Sequence, residues 1–134
     1  MIVEVTCAII EQQGKILAVQ RGEEMSLANK WEFPGGKVEE GETYWQCLLR
    51  EIKEELNIEV DIWEQLPFSD EHYEERTIRL IPFICSIRNG GQIELVEHND
   101  LVWLSPSKLN TLDWAPADIQ VIENYLKHIS VKVK

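Results

Sequence analysis

Glu51, Glu54 and Glu55 fall on one stretch of chain, and Arg50 sits beside them. The stretch reads as a helix. At about 100° per residue, Glu54 and Glu55 lie within roughly 60° on either side of Glu51. Like charges at i,i+4, such as Glu51 and Glu55, repel and weaken an isolated helix. Taken alone, an acidic run of this kind is most often a solvated face. Upstream, however, stands Phe33-Pro34-Gly35-Gly36, read as a tight turn whose glycines let bare backbone approach a ligand. Carboxylates gathered near such a turn suit a hard divalent cation. Mg²⁺ takes one or two carboxylates and leaves its other positions to water and substrate phosphates. The chemistry suggested is metal-assisted phosphoryl transfer, with Arg50 next to Glu54 on the far side of the ridge, where it can hold a carboxylate bidentately.

The rest of the chain must position that ridge. Its 134 residues suffice for one domain, 1–134, with a real core. The net charge of -11 excludes a sequence-independent grip on a nucleic acid backbone, which needs a basic footprint. Small anionic ligands stay open, because metal ions neutralise acidic clusters locally. Cys7, Cys47 and Cys85 lie in apolar stretches without metal spacing and read as buried, reduced thiols of a cytoplasmic protein. His72, His98 and His128 are isolated, so no histidine metal site is expected. No signal peptide or membrane span is read.

Met1 to Ile10 is rich in β-branched residues and reads as a buried strand, followed by a turn at Gln13-Gly14-Lys15 and a hairpin strand from Lys15 to Arg21. Gly22 to Lys30 is a polar loop. Thr43 and Gln46 form a capping-box signature, so the acidic helix is expected over Tyr44 to Leu56, with Asn57 as its left-handed terminus. Trp45, Leu48, Leu49, Ile52 and Leu56 form its apolar stripe. Strands follow at about Glu59 to Leu66, Thr77 to Ile87 and Leu101 to Leu104. A hairpin signal covers Ile87 to Gly91. Ser105-Pro106 starts a short turn or helix. Pro116 opens the last helix, which runs to about His128 with Ile119, Ile122, Tyr125, Leu126 and Ile129 at helical spacing. Strands with one central and one C-terminal helix make an α/β sandwich, a mixed sheet between helices.

Gly36, Glu42, Arg50-Glu51, Ile52, Glu54-Glu55 and Ile58 resemble the Nudix box, G-x5-E-x7-R-E-U-x-E-E-x-G-U, with Asn57 in place of the family's last glycine. The segments "AIIEQQGKILAVQR", "LANKWEFPGGKVEEGE", "EHNDLVWLSP" and "LDWAPADIQVI" are similar to the MutT-type branch. That branch holds 8-oxo-dGTP pyrophosphohydrolases and the related CTP and oxidised-pyrimidine enzymes. The resemblance implies a Nudix α/β/α sandwich that hydrolyses nucleoside triphosphates to monophosphate and pyrophosphate.

It also implies roles. The Gly35 carbonyl, Glu51, Glu54 and Glu55 would hold Mg²⁺ or Mn²⁺, and Glu97 matches a loop acid that serves as a further metal ligand or base. Glu51 is the first choice of general base and Glu97 the second. Arg50 would orient a metal-binding carboxylate, and Glu42 would fix the turn into the helix. Arg21 and Arg76 match positions that face the nucleotide, and Phe33 would pack on the base or in the core. Asp118 stands where the MutT enzyme carries Asn. It would read the base, or simply complement the helix macrodipole. An ionised Asp118 accepts hydrogen bonds only, which favours guanine-type bases and cytosine over uracil and thymine.

Three readings compete: an oxidised-nucleotide hydrolase, a CTP or modified-cytidine hydrolase, and a non-catalytic ligand-sensing or lesion-recognition module. Such modules usually lose box carboxylates, and here all are present. The expected partner is a small nucleoside triphosphate, with no nucleic acid and no membrane, for a monomer or homodimer.

Overall fold

The computed structural model describes the backbone of residues 1–133 and the side chains of residues 1–130. Its elements are β1 (Ile2–Gln12), β2 (Lys15–Gln20), β3 (Trp31–Glu32), β4 (Gly35–Lys37), α1 (Tyr44–Leu56), β5 (Val60–Gln65), β6 (Ser69–His72), β7 (Thr77–Ile87), β8 (Asp100–Leu104), a 3-10 helix (Pro106–Thr111) and α2 (Pro116–Val133).

β1 and β7 are the axis of a mixed sheet. They pair in parallel from Ile2↔Thr77 to Ile10↔Cys85. The path through the sheet is β3-β2-β1-β7-β5, with β4 on β1, β6 on β7 and β8 on β2. β1 is buried on both faces from Thr6 to Ile10. Side chains alternate across a strand. Cys7 and Ile9 therefore join the cluster under α2, with Leu109, Trp114, Val121, Ile122 and Tyr125. Ala8 and Ile10 join the cluster under α1, with Leu48, Ile52, Leu56, Val60 and Ile81. One helix covers each face, which is the expected α/β/α sandwich.

α1 begins and ends where the sequence places it. The Thr43 side chain accepts from the Gln46 amide at 3.2 Å, and the Gln46 side chain accepts from the Thr43 amide at 2.9 Å. Asn57 takes the left-handed conformation at φ 53°. Its core-facing stripe differs from the one expected: Cys47 is buried, whereas Trp45 is 52% exposed. The stripe of α2 is rotated too. Val121 is buried and Ile119 lies exposed, because the helix turns Asp118, Val121, Ile122 and Tyr125 to the sheet.

Two other expectations change. Gly35–Lys37 is strand β4, paired with Val5, Thr6 and Cys7 of β1, and so the glycine segment is not merely a turn. At Asn89 and Gly90 the backbone turns as expected, with φ 50° and 68°. The chain that follows, residues 91 to 99, forms no strand and no hairpin. It runs to the end of α1, where Glu94 N–H donates to the Leu56 carbonyl and Val96 N–H to the Glu55 carbonyl. These donors satisfy carbonyls that a helix C-terminus leaves unpaired. The three cysteines are free and buried. No helix among the described residues is long and apolar enough to cross a membrane.

Candidate active site

β1, β4, α1 and the start of α2 enclose a cavity of about 430 Å³. Glu51 and Glu55 of α1 line it on one side with Gly35 and Gly36; Phe33, Asp118 and Arg21 line it on another, with Arg76 also in its wall. The cavity is a size that takes a small organic ligand.

The glycines are there for close approach. A Cβ on Gly35 would stand 1.9 Å from the Thr6 carbonyl oxygen, so no side chain fits between β4 and β1. A Cβ on Gly36 would stand 2.2 Å from the Glu51 carboxyl carbon. Glu51 thus occupies the place where any other residue would put its side chain, and its carboxylate lies directly on the β4 backbone. Glu55 accepts the Gly35 N–H at 3.2 Å.

Arg50 organises the outer edge. Its bidentate partner is Glu42: Nε donates to Oε2 at 2.6 Å and a terminal nitrogen to Oε1 at 2.9 Å. Its other terminal nitrogen reaches Glu51 at 2.8 Å and Glu54 at 3.3 Å. Glu42 also accepts the Glu39 N–H at 2.9 Å, fixing the turn into α1. The Arg50 guanidinium holds the Glu42 carboxyl down at about 2.

The acidic ridge is not a preassembled cage. Glu51 and Glu55 face the cavity, while Glu54 points outward with its side chain 58% exposed. Among the described residues no three histidine, cysteine, aspartate or glutamate side chains gather tightly enough to hold a metal ion. The donor set nevertheless suits a hard divalent cation. Burial, then the charges of Glu32 and Glu51, push the Glu55 carboxyl up to about 9, and Glu97 adds to the push from the loop. Burial likewise raises Glu51 against the opposing pull of Arg50. A dication at this crowd of carboxylates relieves that repulsion. Two inward carboxylates beside bare backbone, with space for phosphate, match the ligand habit of Mg²⁺.

The substrate-side residues fare differently. Arg21 lines the cavity but is engaged, donating to Glu32 at 2.8 Å and to the Ser26 carbonyl at 2.7 Å. Arg76 is exposed on the cavity wall. Phe33 is buried against Trp114, ring centroids 4.9 Å apart, and still contributes to the cavity wall. Asp118 lines the cavity at the start of α2. Its carboxyl is buried and accepts the Phe33 N–H at 3.0 Å. Burial raises its pKa well above the usual carboxylate range, and Glu32 adds to this. That shift favours the protonated form, which donates as well as accepts, whereas the expectation against uracil and thymine assumed an ionised carboxylate.

Two residues of the site escaped the sequence reading. Glu32 lines the cavity between Arg21 and Asp118. An acid flanked by two aromatics, just before the glycine pair, was the available signal. His98, taken for an isolated histidine, is buried and bonds to Glu32 at 2.9 Å. No pattern in the sequence marks it.

Comparisons with known proteins find a matching family model and similar chains. The NUDIX domain family model matches residues 2–125. The CTP pyrophosphohydrolase of Escherichia coli K12 is 40% identical over 124 residues, covering 92% of this chain and 91% of that protein. The 8-oxo-dGTP diphosphatase of the same organism is 33% identical over 117 residues, covering 85% and 88%. Among solved structures, a DNA mismatch repair protein MutT (family Nudix hydrolase) from methicillin-resistant Staphylococcus aureus 252 superposes with a TM-score of 0.77 at 38% identity, covering 96% of this chain and 98% of that one.

Proposed function

The chain belongs to the Nudix family, and from that premise we propose that its nucleotide pyrophosphohydrolase chemistry acts on nucleoside triphosphates carrying an oxidised base, 8-oxo-dGTP first among them. The products are the nucleoside monophosphate and pyrophosphate. One observation carries the reading: a single cavity presents the Glu51 and Glu55 carboxyls on bare glycine backbone at one side and the buried Asp118 at another.

Nudix hydrolases generally use a divalent metal. Glu51, Glu55 and the Gly35 carbonyl would hold Mg²⁺ or Mn²⁺, with Glu54 and Glu97 completing the set from the mouth. When bound, such an ion would lower the pKa of a water and compensate charge on the phosphate oxygens. Glu51 takes the proton from that water. Arg50 bonds one Glu51 oxygen, Oε1, and leaves Oε2 for the task. Arg76 and, once released from Ser26, Arg21 meet the phosphates. Phe33 and Asp118 enclose the base, Asp118 pairing through its remaining proton.

A second reading is a CTP or modified-cytidine triphosphate pyrophosphohydrolase. The 40% identity to the E. coli enzyme of that name favours it. Cytosine presents an acceptor beside a donor, the complement of a protonated carboxyl. Steady-state kinetics over canonical and oxidised triphosphates, ranked by kcat/KM, decides between the two. Hydrolysis in ¹⁸O-water is expected to label the pyrophosphate, reporting attack at the β phosphorus. Orthophosphate and diphosphate as products would refute the reading.

A further inference from the structure

Arg21, Glu32 and His98 form a line of contacts, of which the chemistry above uses Arg21 alone. Arg21 donates to Glu32 Oε1 at 2.8 Å, and His98 Nε2 meets Glu32 Oε2 at 2.9 Å. For the ring to donate to this carboxylate, its proton must be on Nε2. That leaves Nδ1, a buried side-chain nitrogen without a hydrogen-bond partner. The His98 side chain is 1% exposed. Burying an unsatisfied ring nitrogen is costly, and an apolar side chain filling the same space would bear no such cost. The histidine is retained here for the bond that it makes.

That bond fixes a particular piece of chain. His98 follows Glu97 in the irregular segment between β7 and β8. Val96 N–H is tied to the Glu55 carbonyl of α1, and Asn99 N–H to the Gln20 carbonyl of β2. Val96, Glu97 and Asn99 all have exposed side chains. His98 alone reaches inward from this run, to the cavity wall. The backbone also packs closely, since a Cβ on Gly22 would stand 3.1 Å from the Glu97 carbonyl oxygen.

We propose that His98 is a positioning residue: through Glu32 it fixes Glu97 at the cavity mouth beside the α1 carboxylates and ties its placement to the wall formed by Arg21 and Glu32. This deepens the functional reading above and rests on it. It makes His98 neither a metal ligand nor a proton carrier. It also gives Glu32 two tasks, lining the ligand cavity and anchoring the loop acid.

The test is a double-mutant cycle on Mn²⁺ affinity, read from the paramagnetic resonance of free Mn²⁺ in protein without nucleotide. Glu97→Gln is expected to weaken Mn²⁺ at least about threefold in the native background and less than about 1.5-fold beside His98→Leu, because coupled residues are not additive. His98→Gln keeps a donor for Glu32 and is expected to retain the full Glu97 effect. In turnover His98→Leu should lower kcat about tenfold while KM stays within about threefold. Should His98→Leu fail to fold, Glu32→Ala removes the acceptor with the ring left in place, and the cycle with Glu97→Gln is read there. Equal Glu97→Gln effects in every background, no Glu97→Gln effect in the native chain, or no rescue by His98→Gln overturns the proposal. If the cycle follows the expected pattern in a chain that hydrolyses no triphosphate, the positioning role stands and the functional reading falls.

Discussion

Arg50 grips Glu42 with two nitrogens, at 2.6 and 2.9 Å, and spends its remaining one on Glu51 at 2.8 Å. The arginine joins the turn before α1 to the carboxylate that lies on Gly36. Lysine carries the same charge but cannot make the fork. Arg50→Lys is therefore expected to lower kcat at least about tenfold with KM little changed, since the loss falls on Glu51 placement. Unchanged kcat would mean that Glu51 needs no such support.

The same pair predicts an acid limb of stability. Glu42 titrates at about 2 in the folded chain and near 4.5, the ordinary glutamate value, when unfolded. Between those values the unfolded state binds the extra proton, so stability present above about 4.5 is lost as pH falls toward about 2. Glu42→Gln should flatten that part of the curve in urea titrations at successive pH values. An identical pH dependence in the native chain and the variant would disprove the contribution.

Gly35 and Gly36 are neighbours with different reasons for having no side chain. The Cβ of Gly35→Ala would meet main chain of β1, and something in the β1–β4 pairing must open. The expected loss is about 3 kcal/mol, in the range of a severe core substitution. The Cβ of Gly36→Ala would meet the far end of a glutamate, which can swing away. Its expected thermal midpoint is near that of the native chain, but kcat falls about 100-fold because the displaced group is the proposed base. Calorimetry beside kinetics separates the two. Loss of folding by both variants, or full activity of Gly36→Ala, would contradict the assignment.

Glu55→Gln should stabilise the metal-free protein while disabling it. The folded carboxyl holds its proton up to about 9, whereas the unfolded one ionises near 4.5. The native chain therefore loses stability as pH rises between those values, and the variant does not. In EDTA the thermal midpoint of the variant should exceed that of the native chain, with a gap that widens toward pH 9. Added Mg²⁺ should raise the native midpoint more than that of the variant, because binding to the folded state alone stabilises it. kcat should fall at least about 100-fold for Glu55→Gln, as it should for the outward-facing Glu54→Gln. A native midpoint indifferent to Mg²⁺ would undo the metal assignment.

The parts legible in sequence were those set by neighbours along the chain. Thr43, Gln46 and Asn57 delimit α1 through contacts three or four residues apart, and the bounds Tyr44–Leu56 follow. β7 was legible for another reason, its eleven-residue length and its buried run from Leu80 to Cys85. β3, β4 and β6 were not. Trp31–Glu32 and Gly35–Lys37 are strands only because Val19–Gln20 and Val5–Cys7 lie beside them. Ser69–His72 is polar throughout and takes its strand conformation from β7. In the site, the carboxylates could be named from their spacing, but not which of them turn inward. Burial decides that, and burial also decides the proton on Asp118 and the placing of His98. Neither leaves a mark on local composition.

Asp118 gives the last prediction. It lies in the first turn of α2, buried at the cavity wall, with Oδ1 on the Phe33 amide. Its pKa is raised by burial, so the unfolded chain ionises it first as pH rises. Stability is then lost with rising pH from about 4, the unperturbed aspartate value, upward. Asp118→Asn keeps an acceptor for Phe33 and cannot ionise. It should be more stable than the native chain at pH 7, and the difference should shrink toward pH 3. Asp118→Ala removes the acceptor and the base contact together. It should lower kcat/KM for the best triphosphate by about 10- to 100-fold and level the preferences among bases, because a buried polar group rejects partners that leave it unpaired. The Mg²⁺ dependence of both variants should match that of the native chain, since the carboxylates proposed to hold the metal sit on α1 and in the loop after β7. Should Asp118→Ala retain the whole ranking across oxidised and canonical triphosphates, Asp118 serves only to hold Phe33 at the head of α2, and Glu32 becomes the side chain to change next.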